Sequence, residues 1–123
     1  MKKIKIKFLN CSLEIDLHDT ETANLIWELC PIESIVNTWG DEIYFKTHVK
    51  TIKENNARDI INKGEIAFWV EGSSIVIGFG PTPVSHKEEI RVITKVNIIG
   101  KTSSDLSLLP MVNSGEIAIV ERN

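Results

Sequence analysis

The chain has 123 residues, enough for one domain with a single substantial core, and its 42% hydrophobic and 25% charged content is ordinary for a globular protein. A formal net charge of −3, with the only basic cluster (Lys2, Lys3, Lys5, Lys7) alternating with apolar residues, excludes the concentrated positive field of a nucleic-acid binder. No window approaches the about 18 apolar residues that span a bilayer, and "MKKIKIKFLN" lacks the apolar run of a signal peptide, so a cytoplasmic location without membrane attachment is expected.

Lys3–Leu9 and Cys11–Leu17 are predicted to pair about a two-residue turn at Leu9-Asn10. One face then sets Phe8 opposite Cys11, Ile6 opposite Leu13 and Ile4 opposite Ile15, and the other sets Lys5 opposite Glu14 and Lys3 opposite Asp16. A slip of one residue buries lysines, so the register is tightly specified. Glu21–Cys30 follows as the main helix. Leu25, Ile26 and Leu29 share a face, Asp19 or Thr20 caps the start, and Pro31 stops it. Ser34–Trp39 and Glu42–Thr47 form a second hairpin about Gly40-Asp41, where a type II′ turn needs positive φ at the glycine. Val36 faces Phe45 and Thr38 faces Ile43, while Asn37 with Tyr44 and Trp39 with Glu42 occupy the opposite face.

Ala57–Asn62, "ARDIIN", is predicted as a short helix ending at Gly64. A third hairpin joins Glu65–Glu71 to Ser74–Phe79 about Gly72-Ser73, pairing Val70 with Ile75, Phe68 with Ile77 and Ile66 with Phe79. Its second face, Trp69 with Val76 and Ala67 with Gly78, is apolar as well, so these strands are expected to be covered on both sides. In "GFGPTP", Gly78 to Pro83, the third glycine and following helix of a dinucleotide loop are missing, and proline offers phosphate no N–H. The stretch reads as a strand whose Gly78 admits a close neighbour before a rigid exit. Two further strands, Arg91–Lys101 and Glu116–Arg122, flank a turn of helix at Ser104–Leu109 before Pro110. About eight antiparallel strands, one main helix and one or two short ones predict an all-β closed barrel over residues 1–123, because closure removes exposed edges. An open two-sheet sandwich is the competing architecture.

The strings "NTWGDEIYF", "GEIAFWVEGSSIVIGFGPTP", "VNIIGK" and the terminal "GEIAIVER" carry a resemblance. In order they supply a Trp-Gly-acidic-acidic hairpin, a Gly-Glu-x-x-x-Trp strand, Phe-Gly-x-Thr-Pro and Val-Asn-x-Ile-Gly. The chain thereby resembles small uncharacterised prokaryotic proteins with a cyclophilin-like barrel, over nearly its whole length. One departure is "WVEGSS", where relatives often carry a Pro-Pro-Gly turn. The resemblance implies a fold and no reaction. Cyclophilins proper are peptidyl-prolyl isomerases that place an Arg, in a Phe-His-Arg stretch, beside an apolar proline pocket. Here the arginines are Arg58, Arg91 and Arg122, and none follows Phe-His.

Trp39, Glu42 and Tyr44 share one hairpin face, and an aromatic pair with a carboxylate suits a small-molecule pocket. The alternative is an outer barrel face on which Trp and Tyr cover neighbouring loops. Glu42 serves as an acid or base only if buried, and a solvated Glu is commoner. Thr82, stiff between Pro81 and Pro83, suits a pocket wall beside Phe79. Asn97, among apolar neighbours, is either glue between strands or a ligand anchor. Trp39, Glu42, Tyr44, Phe79, Thr82 and Asn97 are therefore the candidate ligand-binding residues. No metal or cofactor is expected, since His18, His48 and His86 lack zinc spacing and Cys11 and Cys30 form no Cys-x-x-Cys. Both cysteines are expected to be reduced, Cys11 facing the core and inert. Gly-x-Ser-x-Gly is absent. The expected function is binding of a small molecule or short peptide. The alternatives are an enzyme at the same site (a prolyl isomerase, or a hydrolase using Glu42) and an interaction module forming a homo-oligomer through the Trp39 face.

Overall fold

Alternating apolar and charged residues set the first two strands in the computed structural model, which describes residues 1–123. β1 (Lys3–Lys7) pairs with β2 (Ser12–Leu17) in the expected register, Ile4 opposite Ile15 and Ile6 opposite Leu13, with a Lys3–Asp16 ion pair of 3.1 Å on the wet face. α1 (Glu21–Leu29) starts at Thr20, whose hydroxyl accepts from the Ala23 N–H at 3.2 Å. It buries Ala23 and Ile26 in the barrel interior. Trp27 lies beneath the Arg122 guanidinium, 4.7 Å from the ring centroid, which pins the helix to the last strand.

The second hairpin forms as expected at its tip and differs at its base. β4 (Asn37–Thr38) pairs with β5 (Glu42–Lys46), Asn37 opposite Tyr44 and Thr38 opposite Ile43. The residues before Val36 do not continue this ladder. They form β3 (Ile32–Ile35), which pairs with β10 (Ile117–Arg122). Val36 sits at the corner, fully buried, its N–H donating to Glu116 O at 2.8 Å and its carbonyl accepting from Gly115 N at 2.9 Å. The physical reason is closure, since a strand at a barrel corner must leave one partner and take another. The strands run β3-β10-β1-β2-β9-β7-β8-β5-β4, every pair antiparallel, so the two ends of the order meet in one segment of chain.

The third hairpin, β7 (Glu65–Trp69) with β8 (Ser74–Gly78), corrects the expected pairing by two residues: Ile66 faces Ile77, Phe68 faces Ile75 and Trp69 faces Ser74. Its turn has four residues, Val70 to Ser73. The Ser73 N–H donates to Val70 O at 3.2 Å and Ser73 takes φ +48°. Within this turn Trp69 packs over Gly72, where a Cβ would lie 2.2 Å from its ring, so only glycine fits that position. A shift of two leaves every side chain on its expected face.

Ala57–Asn62 is not a helix. Arg58–Ile61 forms strand β6, pairing with β9 (Ile90–Thr102), Ile61 opposite Ile90. The β-branched Ile60-Ile61 pair favours a strand, and Ile61 buries itself against β9. At Ser104–Leu109 the expected helical turn is replaced by a turn in which the Asp105 carboxylate accepts from the Ser107 N–H at 2.9 Å. The helical turn comes later, a 3-10 turn at Leu109–Met111 with Pro110 inside its start, where no N–H is needed.

Two apolar clusters result. The larger fills the barrel with residues such as Ile4, Ile6, Leu13, Ile43, Phe45 and Phe68, with Phe8 and Phe45 edge to face at 6.5 Å. The smaller lies on the other face of β7 and β8, where β6 and the first half of β9 add Ile61, Ile90, Val92 and Val96 to Ala67 and Val76. This is the cover that the two apolar faces of the third hairpin demand. No helix is long and apolar enough to cross a membrane.

Candidate functional site

The smaller cluster stops short of filling the outer face, and the space left is a cavity of about 230 Å³. Pairing register places its walls. Tyr44 on β5 lies opposite Val76 on β8, Val76 lies opposite Ala67 on β7, and Trp69 stands two residues further along β7 on the same face. The Tyr44 and Trp69 rings meet at 90° with centroids 6.1 Å apart. Trp39 and Glu42 come from the tip of the β4–β5 hairpin, and Val92, Ile93 and Val96 come from β9. β9 reaches the cavity through a bulge: Ile60 pairs with Arg91, but Arg58, two residues earlier, pairs with Val96, five residues on. That extra length lets Val92, Ile93 and Val96 reach one space.

The hairpin tip is braced by the "GFGPTP" segment. Trp39 and Glu42 exchange backbone hydrogen bonds of 3.0 and 3.2 Å across a turn in which Gly40 takes φ +59°. Asp41 N–H donates to Pro81 O at 3.0 Å, and Phe79 N–H donates to Asp41 O at 2.9 Å. A Cβ on Gly40 would stand 2.9 Å from the Thr82 Cα, so the two motifs touch backbone to backbone. The brace fixes where Trp39 and Glu42 point.

Glu42 is the one ionisable carboxyl among the walls. The residue is 6% exposed, and no protein group hydrogen-bonds or pairs with its carboxyl. Burial alone pushes its pKa from 4.5 to about 7. Both its protonated and its ionised form are therefore within reach near neutral pH, and a cationic partner favours the ionised one. The Trp69 indole N–H is buried without a partner and out of reach of solvent.

Of the six candidates from sequence, the structure gathers Trp39, Glu42 and Tyr44 around this cavity. Phe79, Thr82 and Asn97 lie outside it. Phe79 packs against the barrel interior. The Thr82 hydroxyl donates to Arg91 O, while Ser85 Oγ accepts from the N–H groups of Thr82 (2.9 Å) and Arg91 (3.1 Å), so Thr82 ties its loop to the start of β9. Asn97, fully buried, donates to Thr22 Oγ1 and Ile52 O, both at 3.0 Å, and accepts from Glu54 N at 2.8 Å. It is glue between β9, α1 and the segment that joins β5 to β6. Trp69, Val76, Val92, Ile93 and Val96 were not among those candidates. The apolar second face of the third hairpin signals Trp69 and Val76, whereas nothing local signals the bulge that delivers the β9 residues.

The three arginines are engaged elsewhere. Arg58 forms a two-pronged pair with Glu65, Arg91 pairs with Glu89 at 2.6 Å, and Arg122 donates to Trp27 O at 3.1 Å. No three metal-ligating side chains converge. Cys11 and Cys30 are free thiols whose pKa values burial raises.

Comparison with known proteins places this geometry in context. The sequence profile of a family described as cyclophilin-like matches residues 2–121. The fold is similar to the solution structure of the hypothetical protein AF2241 from Archaeoglobus fulgidus, with a TM-score of 0.85 and 37% identity over 99% of this chain and 95% of that one. No functionally curated protein matches the chain.

Proposed function

The chain belongs to the cyclophilin-like family, and we propose that this member works by binding a small molecule, or one side chain of a short peptide, in the cavity between Trp39 and Trp69. Membership of a fold family does not carry a function with it, so the reading rests on the site. The observation that carries it is the Glu42 carboxyl, on a residue only 6% exposed and without a protein partner, set among aromatic and aliphatic walls beside the fully buried, unpartnered Trp69 indole N–H. A buried polar group ordinarily finds a hydrogen-bond partner within the protein, and one left without it is costly. A ligand that brings a donor to Glu42 and apolar surface to the walls removes that cost.

Size agrees with a small ligand, since a dry engineered cavity of about 150 Å³ in another protein takes up benzene. The walls hold no second carboxylate and no histidine, cysteine, lysine or arginine, which favours binding over catalysis at this site. A cytoplasmic setting agrees with both cysteines being free thiols.

The test is a thermal-shift screen of small metabolites and capped dipeptides, followed by titration on the fluorescence of Trp39 and Trp69. Selective ligands are expected to raise the melting temperature of the wild type and to lose that effect in Trp69→Leu and Glu42→Gln. A binder whose effect survives both substitutions occupies another place, and that result overturns the reading.

A further inference from the structure

We propose that the ligand class is a small organic cation with an alkylated ammonium group, seated between the rings of Trp39, Tyr44 and Trp69 with its charge against Glu42. The inference rests on the binding reading above and names what is bound.

Charge gives the first reason. Glu42 is the single acid in the cavity and no basic side chain accompanies it, so the site has no full positive charge for an anion and one carboxylate for a cation. Aromatic content gives the second. Three of the eight walls are Trp or Tyr, and the perpendicular Tyr44–Trp69 pair forms a corner of two aromatic walls. Aromatic faces carry negative potential and attract cations, most strongly when the site is shielded from water. Hydrogen-bonding capacity gives the third. A primary ammonium brings three donors, whereas the acceptors here are one carboxyl and the Tyr44 hydroxyl, and the Trp69 indole N–H is itself a donor. An alkylated ammonium brings few donors or none, spreads its charge over apolar methyl groups and is cheap to desolvate. Its surface matches walls that are otherwise Val and Ile.

The test compares choline with its neutral carbon isostere, in which a tert-butyl group replaces trimethylammonium, at constant ionic strength by calorimetry and tryptophan fluorescence. Choline is expected to bind the wild type at least about tenfold more tightly than the isostere, the scale of a shielded cation–π contact. Glu42→Gln, with its fold checked by circular dichroism, is expected to lose about tenfold in choline affinity and leave the isostere unchanged. Should Glu42→Gln fail to fold, Tyr44→Leu takes its place, with the same selective loss expected. Equal or tighter binding of the isostere overturns the cation class while the binding reading stands. If neither compound binds, the cation class falls; if the metabolite screen also yields nothing that depends on Trp69, the binding reading falls with it.

Discussion

At the scale of single residues, Glu42 decides how the protein responds to pH. Its folded pKa is about 7 against 4.5 when solvated, because burial disfavours the charged form. The folded state therefore keeps a proton that the unfolded chain releases, and stability falls as pH rises from about 4.5 to about 7. The whole loss is on the order of 3 kcal/mol. The carboxylates of Glu65 and Glu71 act in the opposite sense: hydrogen bonds from Arg58 and Lys53 lower their pKa values, so their contribution is lost only on acidification below the ordinary carboxylate range. In urea denaturation between pH 4 and 8, Glu42→Gln is expected to flatten the decline and to be more stable than wild type at pH 8. Parallel curves for the two proteins would show that Glu42 is solvated. That Glu42 shares a face with Trp39 and Tyr44 was legible from the period of two along β5. Its burial was not, because residues fifty or more positions away on β9 share its cavity.

At the scale of elements, the outer layer depends on two close fits. Gly78 lies beneath β6 and β9, and a Cβ there would stand 2.5 Å from Ile90 Cγ2 and 3.1 Å from Ile61 Cδ1. Gly78→Ala is expected to push that layer outward, costing about 1–3 kcal/mol in chemical denaturation, as overpacking does elsewhere. An unchanged midpoint would mean that β6 and β9 yield freely. Asn97 is the second fit. Asn97→Ala removes three hydrogen bonds and leaves Glu54 N–H and Ile52 O without this partner, which is expected to cost about 2–4 kcal/mol. Hydrogen exchange of the Glu54 amide should accelerate in the variant, and a rate equal to wild type would argue against the bond. A glue role for Asn97 was one of two readings open from sequence. The stretch "ARDII", predicted as a helix, suits either state locally, and only the waiting edge of β9 settles it as strand β6.

At the scale of the whole molecule, closure at Val36 turns a curved sheet into a barrel. The strand order begins at β3 and ends at β4, and these are one stretch of chain that changes partner at Val36. Its N–H, bonded to Glu116 O, is therefore sealed on both sides and is no edge. Hydrogen exchange of the Val36 amide is expected to be as slow as that of Ile6 in the centre of the sheet. Exchange at the rate of an exposed loop would mean that the barrel is open there. The family motifs acquire a physical meaning at this scale. The Trp39-Gly40-Asp41-Glu42 turn and the Phe79 to Pro83 segment hold each other by backbone bonds, so each is the other's support.

The sequence by itself determined what depends on short-range pattern. The β1–β2 register followed from the alternation of isoleucine and lysine, the helix start from the Asp19-Thr20 pair, of which Thr20 is the cap, and the glycine turn at Gly40 from backbone sterics. Even where the third hairpin was placed two residues out, its faces were right, because parity survives an even shift. Tertiary structure alone decided what depends on which surfaces meet. It broke Ser34–Trp39 between two partners, laid β6 and β9 over the outer face, and took Thr82 and Asn97 into bracing roles. The cavity around Glu42 belongs to this second kind, since its walls come from four strands and a hairpin tip that no local pattern brings together.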